Sequence, residues 1–143
     1  MHRRIYPLLM ILMIIAGLHP SPIWAQQANG APPSPPAPAL VRATMCEEVK
    51  NLAPWNAASV FSISTQKVIC YSAFDPVPEK TFIYHSWYRQ DRLTTRIKLH
   101  LKTPRWATFS RIQLRKADKG PWRVEISDKE GNLIDVLRFS ITD

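Results

Sequence analysis

Arg96-Ile97-Lys98-Leu99-His100-Leu101-Lys102 is the stretch that decides the fold class. Apolar residues alternate strictly here with basic residues and an imidazole. Because successive side chains of an extended strand point to opposite faces, the three apolar residues share one face. Trp122–Ile126 and Leu137–Ile141 alternate in the same way. One face of each segment is therefore predicted to be buried and the other solvated, as in an antiparallel sheet.

The rest of the C-terminal two thirds fits the same pattern. A polar loop containing Gly131 separates the last two segments and predicts a β-hairpin over 121–142. Further segments are rich in β-branched and aromatic residues, which favour strands: Val41–Val49, Val68–Phe74, Phe82–Arg89 and Trp106–Leu114. Because no amphipathic helix interrupts these short strands, we expect an all-β domain over residues 40–143. The predicted architecture is an antiparallel, immunoglobulin-like β-sandwich of about seven strands.

The first forty residues differ in composition from this domain. Arg3 and Arg4 precede an apolar run, Ile5–Leu18, and a small residue, Ala25, follows. This order is typical of a secretory signal peptide over residues 1–25, and the run is shorter than the roughly 20 residues of a spanning helix. We expect cleavage near Ala25 and a periplasmic or secreted protein without a transmembrane span in the mature chain. An uncleaved signal would instead anchor it to the membrane.

Residues 26–39 are rich in proline and carry no charge. Proline fixes φ and lacks a backbone donor, so we expect a semi-rigid spacer.

The chain has two cysteines, Cys46 and Cys70. An even number in an oxidising compartment predicts one disulfide. Antiparallel pairing of the segments 41–49 and 66–74 about a turn near residue 58 places the two cysteines opposite each other. A metal site is not expected, because no second cysteine or histidine stands at ligand spacing.

His85 and the tryptophans are the candidates for chemistry in the strands. A histidine titrates near neutral pH and can act as a base, but no Ser-His-Asp or Cys-His arrangement is readable around it. We therefore interpret His85 as a hydrogen-bonded residue at the margin of the core. Trp87 and Trp122 fall on apolar faces and are expected in the core. Trp106 and Trp55 are candidates for exposed rings that stack on sugars.

The formal net charge is +8, which favours acidic partners. If the strands at 94–102 and 105–114 are neighbours in one sheet, several cations share a solvent face. The candidate anion-binding face consists of Arg96, Lys98, Lys102 and Arg111. The alternative is a solvated face whose charges prevent edge-to-edge association. Specific nucleic-acid binding is not expected, because no helix-turn-helix, zinc finger or ribonucleoprotein motif is present.

Several short motifs occur in a familiar order along the chain. They are His85-Ser86-Trp87-Tyr88, Arg105-Trp106 with Thr108 and Ser110, and Gly120-Pro121-Trp122-Arg123-Val124 with the following polar loop. In this order the chain resembles the bacterial family numbered 2914 among the domains of unknown function, over about residues 41–142. Ala107 stands where that family would place a basic residue. The resemblance implies an exported or membrane-tethered domain and supplies no activity.

The sequence thus predicts no cofactor, no metal and no catalytic residues. The preferred hypothesis is a non-catalytic, exported binding domain of the cell envelope, whose partner is another envelope protein or an anionic surface polymer. The alternatives are a small periplasmic hydrolase centred on His85 and a carbohydrate- or polyanion-binding module.

Overall fold

A computed structural model describes residues 35–143, which form nine strands, two short 3-10 turns and no α-helix. The strands are β1 (Leu40–Lys50), β2 (Ala53–Ala57), β3 (Val60–Ser62), β4 (Lys67–Phe74), β5 (Thr81–Arg89), β6 (Arg92–Leu101), β7 (Trp106–Gln113), β8 (Gly120–Ser127) and β9 (Leu133–Thr142). The predicted signal peptide and residues 26–34 of the predicted spacer lie outside the described residues. Within 35–143, no helix is both long and apolar enough to cross a membrane.

The strands form two sheets that pack face to face. The four-stranded sheet has the order β2-β1-β4-β7, and the five-stranded sheet has the order β3-β9-β8-β5-β6. All neighbouring strands are antiparallel except β3, which runs parallel to β9. Strands β4 and β7 lie opposite β5, β8 and β9, as strands B and E lie opposite C, F and G in immunoglobulin domains. The predicted all-β, immunoglobulin-like β-sandwich is confirmed.

The core lies between the sheets and is centred on aromatic rings. Trp87 on β5 is fully buried and Trp122 on β8 is 7% exposed, as predicted for both. The Phe139 ring on β9 meets the Trp87 ring edge-on at 6.1 Å between centroids and stacks on the Trp122 ring at 6.1 Å. Such aromatic pairs stabilise a core by about 0.5–1.5 kcal/mol each beyond the burial of their area. A buried Trp on the strand equivalent to C is also a hallmark of immunoglobulin domains.

Two strands were absent from the sequence prediction, which gave about seven. Ala53–Ala57 contains Pro54, and proline weakens a strand signal because it donates no ladder hydrogen bond. The strand is an edge strand paired to β1, where proline is tolerated. Val60–Ser62 has three residues and pairs only with the end of β9. Segments this short leave no alternation to detect.

The predicted disulfide is wrong in this structure, because both thiols are free. β1 and β4 do pair antiparallel, but in a register that aligns Met45 with Cys70 and Cys46 with Ile69. A shift of one residue turns a side chain to the other face of a sheet. Cys70 therefore lies in the core with Met45, whereas Cys46 packs on the outer face of the four-stranded sheet with Ile69 and Tyr71.

The end of the predicted spacer joins the sandwich at one point. Residues 35–39 form no strand, and Ala39 exchanges backbone hydrogen bonds with the connection that follows β4. The Ala39 N–H donates to the Pro76 carbonyl at 3.0 Å, and the Asp75 N–H donates to the Ala39 carbonyl at 2.9 Å. The described residues Pro35–Asp143 form one unit.

Candidate functional site

A polar cluster is buried between the sheets, around His85 of β5. The His85 side chain is fully buried, so it lies within the core and not at its margin. Its Nε2 atom lies 3.0 Å from Ser72 Oγ on β4, and its Nδ1 atom lies 2.8 Å from Ser110 Oγ on β7. Trp87 Nε1 also donates to Ser110 Oγ at 3.0 Å. These four side chains, two from each sheet, satisfy one another in the interior.

The environment of His85 keeps its imidazole neutral. Burial disfavours the charged form and lowers the pKa of His85 to about 4. In a neutral ring one nitrogen donates and the other accepts. Because Ser110 Oγ already accepts the Trp87 N–H, its own hydroxyl hydrogen is available to donate to His85 Nδ1. His85 Nε2 then donates to Ser72 Oγ.

This cluster has a Ser–His pair at the distance of a base and its nucleophile, but the pair is closed off from solvent within the described residues 35–143. Ser72 and His85 are both 0% exposed. Neither residue lines the concavities on the outer faces of the two sheets that are described below. No carboxylate among residues 35–143 is hydrogen-bonded to the ring. The arrangement joins two sheets, and the geometry gives the hydrolase hypothesis no support.

The outer face of the five-stranded sheet carries a row of cations over aromatic rings. Arg96 of β6 lies over the Tyr84 ring of β5, with 3.9 Å from its guanidinium carbon to the ring centroid. Lys98 Nζ lies 3.8 Å from the centroid of the neighbouring Phe82 ring. Both contacts fall in the range of cation–π attraction. These four residues are called the aromatic–basic face below.

The structure divides the predicted anion-binding face between two surfaces. Arg96 and Lys98 are exposed on β6, but β7 belongs to the other sheet. Arg111 on β7 points outward from the four-stranded sheet, since its neighbours Ser110 and Ile112 point into the core. Lys102 follows the end of β6, where its Nζ lies 5.0 Å from the Trp106 ring centroid. The assumption that the strands at 94–102 and 105–114 are sheet neighbours is therefore wrong.

A row of three side chains crosses the outer face of the five-stranded sheet at one end. The register aligns Tyr88 of β5 with Arg123 of β8, and Arg123 with Arg138 of β9. These residues line a concavity of about 540 Å³, together with Gln90 and Asp91 from the turn between β5 and β6. We call it the Arg138 concavity. Its volume lies within the range of about 300–1,000 Å³ that is common for ligand sites.

Sequence reasoning missed the aromatic half of this outer face. Phe82, Tyr84 and Tyr88 alternate with Ile83 and Trp87, so each face of that strand is mainly apolar or aromatic. A strand with no polar face gives no signal for which side meets solvent. Arg123 was visible as the outward residue of an alternating strand, but its cross-strand neighbour depends on the register.

The outer face of the other sheet has an apolar groove. It has a volume of about 390 Å³ and is lined by Leu52, Ala73, Trp106 and Ala107 with Arg105 at its edge. The sequence did not decide whether Trp106 and Trp55 are exposed. Trp106 is half-buried in this groove. Trp55 is 49% exposed, and Lys50 lies over its ring.

Metal ligands do not assemble in the described part of the chain. Within 35–143, no group of three or more His, Cys, Asp or Glu side chains is placed to hold a metal ion.

The fold and these surfaces define the chain's class as an immunoglobulin-like β-sandwich with a concave, arginine-lined outer face. Residues 80–141 match the model of the family described as Protein of unknown function (DUF2914). The match runs from β5 into β9 and confirms, over those strands, the resemblance drawn from the sequence; β1–β4 lie outside it. No curated protein matches the chain.

Proposed function

We propose that this domain is a non-catalytic binding module that acts outside the cytoplasm and binds an anionic polymer through the aromatic–basic face. The observation that carries the proposal is the pair of stacked cations, Arg96 over Tyr84 and Lys98 over Phe82. A ring beneath each cation restricts its position, so less side-chain entropy is lost when an anion binds.

The electrostatic setting also supports an anionic ligand. Neither Arg96 nor Lys98 has an ion-pair partner within the described residues. Their charges are therefore not compensated by a carboxylate of the same face. The half-buried rings beneath them add apolar surface beside the charges, which suits the mixed polar and apolar surface of an acidic polysaccharide.

A titration with heparin, as the polyanion probe, tests this proposal. We expect binding that weakens as salt rises, because each neutralised anion releases counterions. The double variant Arg96→Gln/Lys98→Gln should reduce the slope of log K against log[salt] by about 1.5–2.

The matched control is Arg42→Gln/Arg111→Gln, which removes the same charge from the outer face of the other sheet. The face-specific proposal requires the control to retain most of the slope. Equal losses in the two double variants would show that net charge alone drives binding. If the parent protein does not bind heparin at low salt, the proposal is wrong.

The cellular location of the protein is tested independently of its ligand. We propose that residues 1–25 direct export and are removed. N-terminal sequencing of protein recovered from the periplasm should then begin near Gln26. A chain that begins at Met1 in a membrane fraction would replace a released domain with a tethered one.

A further inference from the structure

The Arg138 concavity contains two arginines with different surroundings. Arg123 is held on several sides: its guanidinium lies 4.1 Å from the Tyr88 ring centroid, its Nε donates to Glu125 at 2.9 Å, and its NH1 group pairs with Asp91. Arg138 is exposed and makes no ion pair or side-chain hydrogen bond with any residue of 35–143.

The two arginines stand directly opposite each other on β8 and β9. Like charges at opposite positions of neighbouring strands destabilise a sheet. Arg123 is compensated by its two carboxylates, so the uncompensated charge of the pair is that of Arg138. A guanidinium in this position has its paired donors free to bind a carboxylate in a bidentate manner.

The opposite wall of the concavity carries hydrogen-bond acceptors and a negative charge. Asp91 and Gln90 form the two-residue turn between β5 and β6, both with positive φ. Positive φ at both central positions is typical of a type I′ hairpin turn. The Asp91 carboxylate and the Gln90 amide are acceptors for hydroxyl groups. A ligand that fits both walls carries one anionic group for Arg138 and several hydroxyl donors for this turn.

We propose that the Arg138 concavity binds a sugar that carries a carboxylate, such as a hexuronate unit of an acidic polysaccharide. The carboxylate pairs with Arg138, and ring hydroxyls donate to Asp91 and Gln90. Exposed apolar surface of Val60 lines the same concavity and contacts the sugar ring. Inorganic phosphate fits less well, because its higher charge is repelled more strongly by Asp91 and it lacks the sugar ring and its several hydroxyl groups. This inference rests on the proposed function and goes beyond it, because it places a uronate unit of the polymer in a second site on the same sheet.

Glucuronate, glucose and inorganic phosphate are the probes. We expect amide NMR shifts that saturate with glucuronate and map to the concavity, with weaker or no effects from glucose and phosphate. Arg138→Gln should weaken glucuronate binding at least tenfold. Arg111→Gln, on the other sheet, should leave it unchanged. Asp91→Asn should favour phosphate over glucuronate relative to the parent, because it removes a charge that repels both anions and one acceptor oxygen that only the sugar hydroxyls use.

Two outcomes overturn the inference: glucuronate and phosphate bind alike in the parent protein, or Arg138→Gln binds glucuronate as the parent does. The heparin titration reports the proposed function separately. Loss of heparin binding in Arg96→Gln/Lys98→Gln with retained glucuronate binding supports a distinct sugar site. If the parent binds heparin but shows no response to glucuronate, the proposed polymer binding stands and the proposed sugar site in the Arg138 concavity is wrong.

Discussion

His85 Nδ1 lies 2.8 Å from Ser110 Oγ, and this hydrogen bond joins the five-stranded sheet to the four-stranded sheet in the middle of the core. Sandwich cores are normally joined by apolar contacts, which are not directional. A polar cluster between the sheets fixes their relative position, because its hydrogen bonds hold only in one arrangement. The same cluster makes the core sensitive to substitutions and to pH.

Ser110→Ala should be strongly destabilising. The hydroxyl is bonded to both His85 Nδ1 and Trp87 Nε1, so its removal leaves two buried polar atoms without a partner. Each such atom costs about 1–3 kcal/mol, and we expect a loss of roughly 2–4 kcal/mol in the free energy of unfolding. Urea unfolding measures it. Ser64→Ala, at an exposed serine, is the control and should change stability by less than about 0.5 kcal/mol. Similar small effects of both substitutions would contradict a cluster that stabilises the core.

Stability should fall as the pH drops from 6.5 to about 4, and His85 should account for much of the loss. Its pKa is about 4 in the folded chain, below the value of about 6.5 in an unfolded chain. In that window the unfolded state binds a proton that the folded state does not, so acid favours unfolding. The full effect is on the order of 3 kcal/mol.

The measurement is the free energy of unfolding at pH 7 and pH 4.5. His85→Gln should be less stable at pH 7 and should lose less stability on acidification. His100→Gln, at an exposed position of β6, should keep the parental pH dependence. A parental pH dependence in the His85 variant would mean that carboxylates, not His85, cause the acid response.

Cys46 and Cys70 should be free thiols that react slowly in the folded protein. Burial raises the pKa of both thiols, which lowers the fraction of reactive thiolate. Alkylation under denaturing conditions without reductant, followed by mass spectrometry, should modify both cysteines, whereas native protein should resist. Reductant should leave the melting temperature unchanged. An unalkylated pair that becomes reactive only after reduction would restore the disulfide and require a different register of β1 and β4.

The register is where sequence reasoning reached its limit. Alternation over residues 96–102 located most of β6 and its buried face, because that signal is local. The alignment of Cys46 with Cys70 assumed a simple hairpin about residue 58. The segment between β1 and β4 instead contains two strands and a 3-10 turn, so no turn geometry fixed the register. The prediction that Arg111 shares a face with Arg96 failed for a related reason. Sequence order does not decide whether the chain crosses to the other sheet between β6 and β7.

Tyr71→Phe should loosen one end of the outer face of the four-stranded sheet without unfolding the core. The Tyr71 hydroxyl donates to the Leu52 carbonyl at 2.9 Å and ties the turn between β1 and β2 to β4. Its loss should cost about 1 kcal/mol, because the exposed Leu52 segment regains hydrogen bonds to water. Cys46 packs against Tyr71 on this face, whereas Cys70 lies in the core between the sheets.

Local opening of this hairpin therefore exposes one thiol and not the other. In native Tyr71→Phe protein, alkylation of Cys46 should accelerate about fivefold, as 1 kcal/mol implies, while Cys70 keeps its parental rate. Tyr84→Phe, on the outer face of the other sheet, is the matched control and should alter neither rate. Equal acceleration at Cys46 and Cys70 would show that both react through global unfolding. The hydroxyl would then stabilise the whole sandwich and not the hairpin alone.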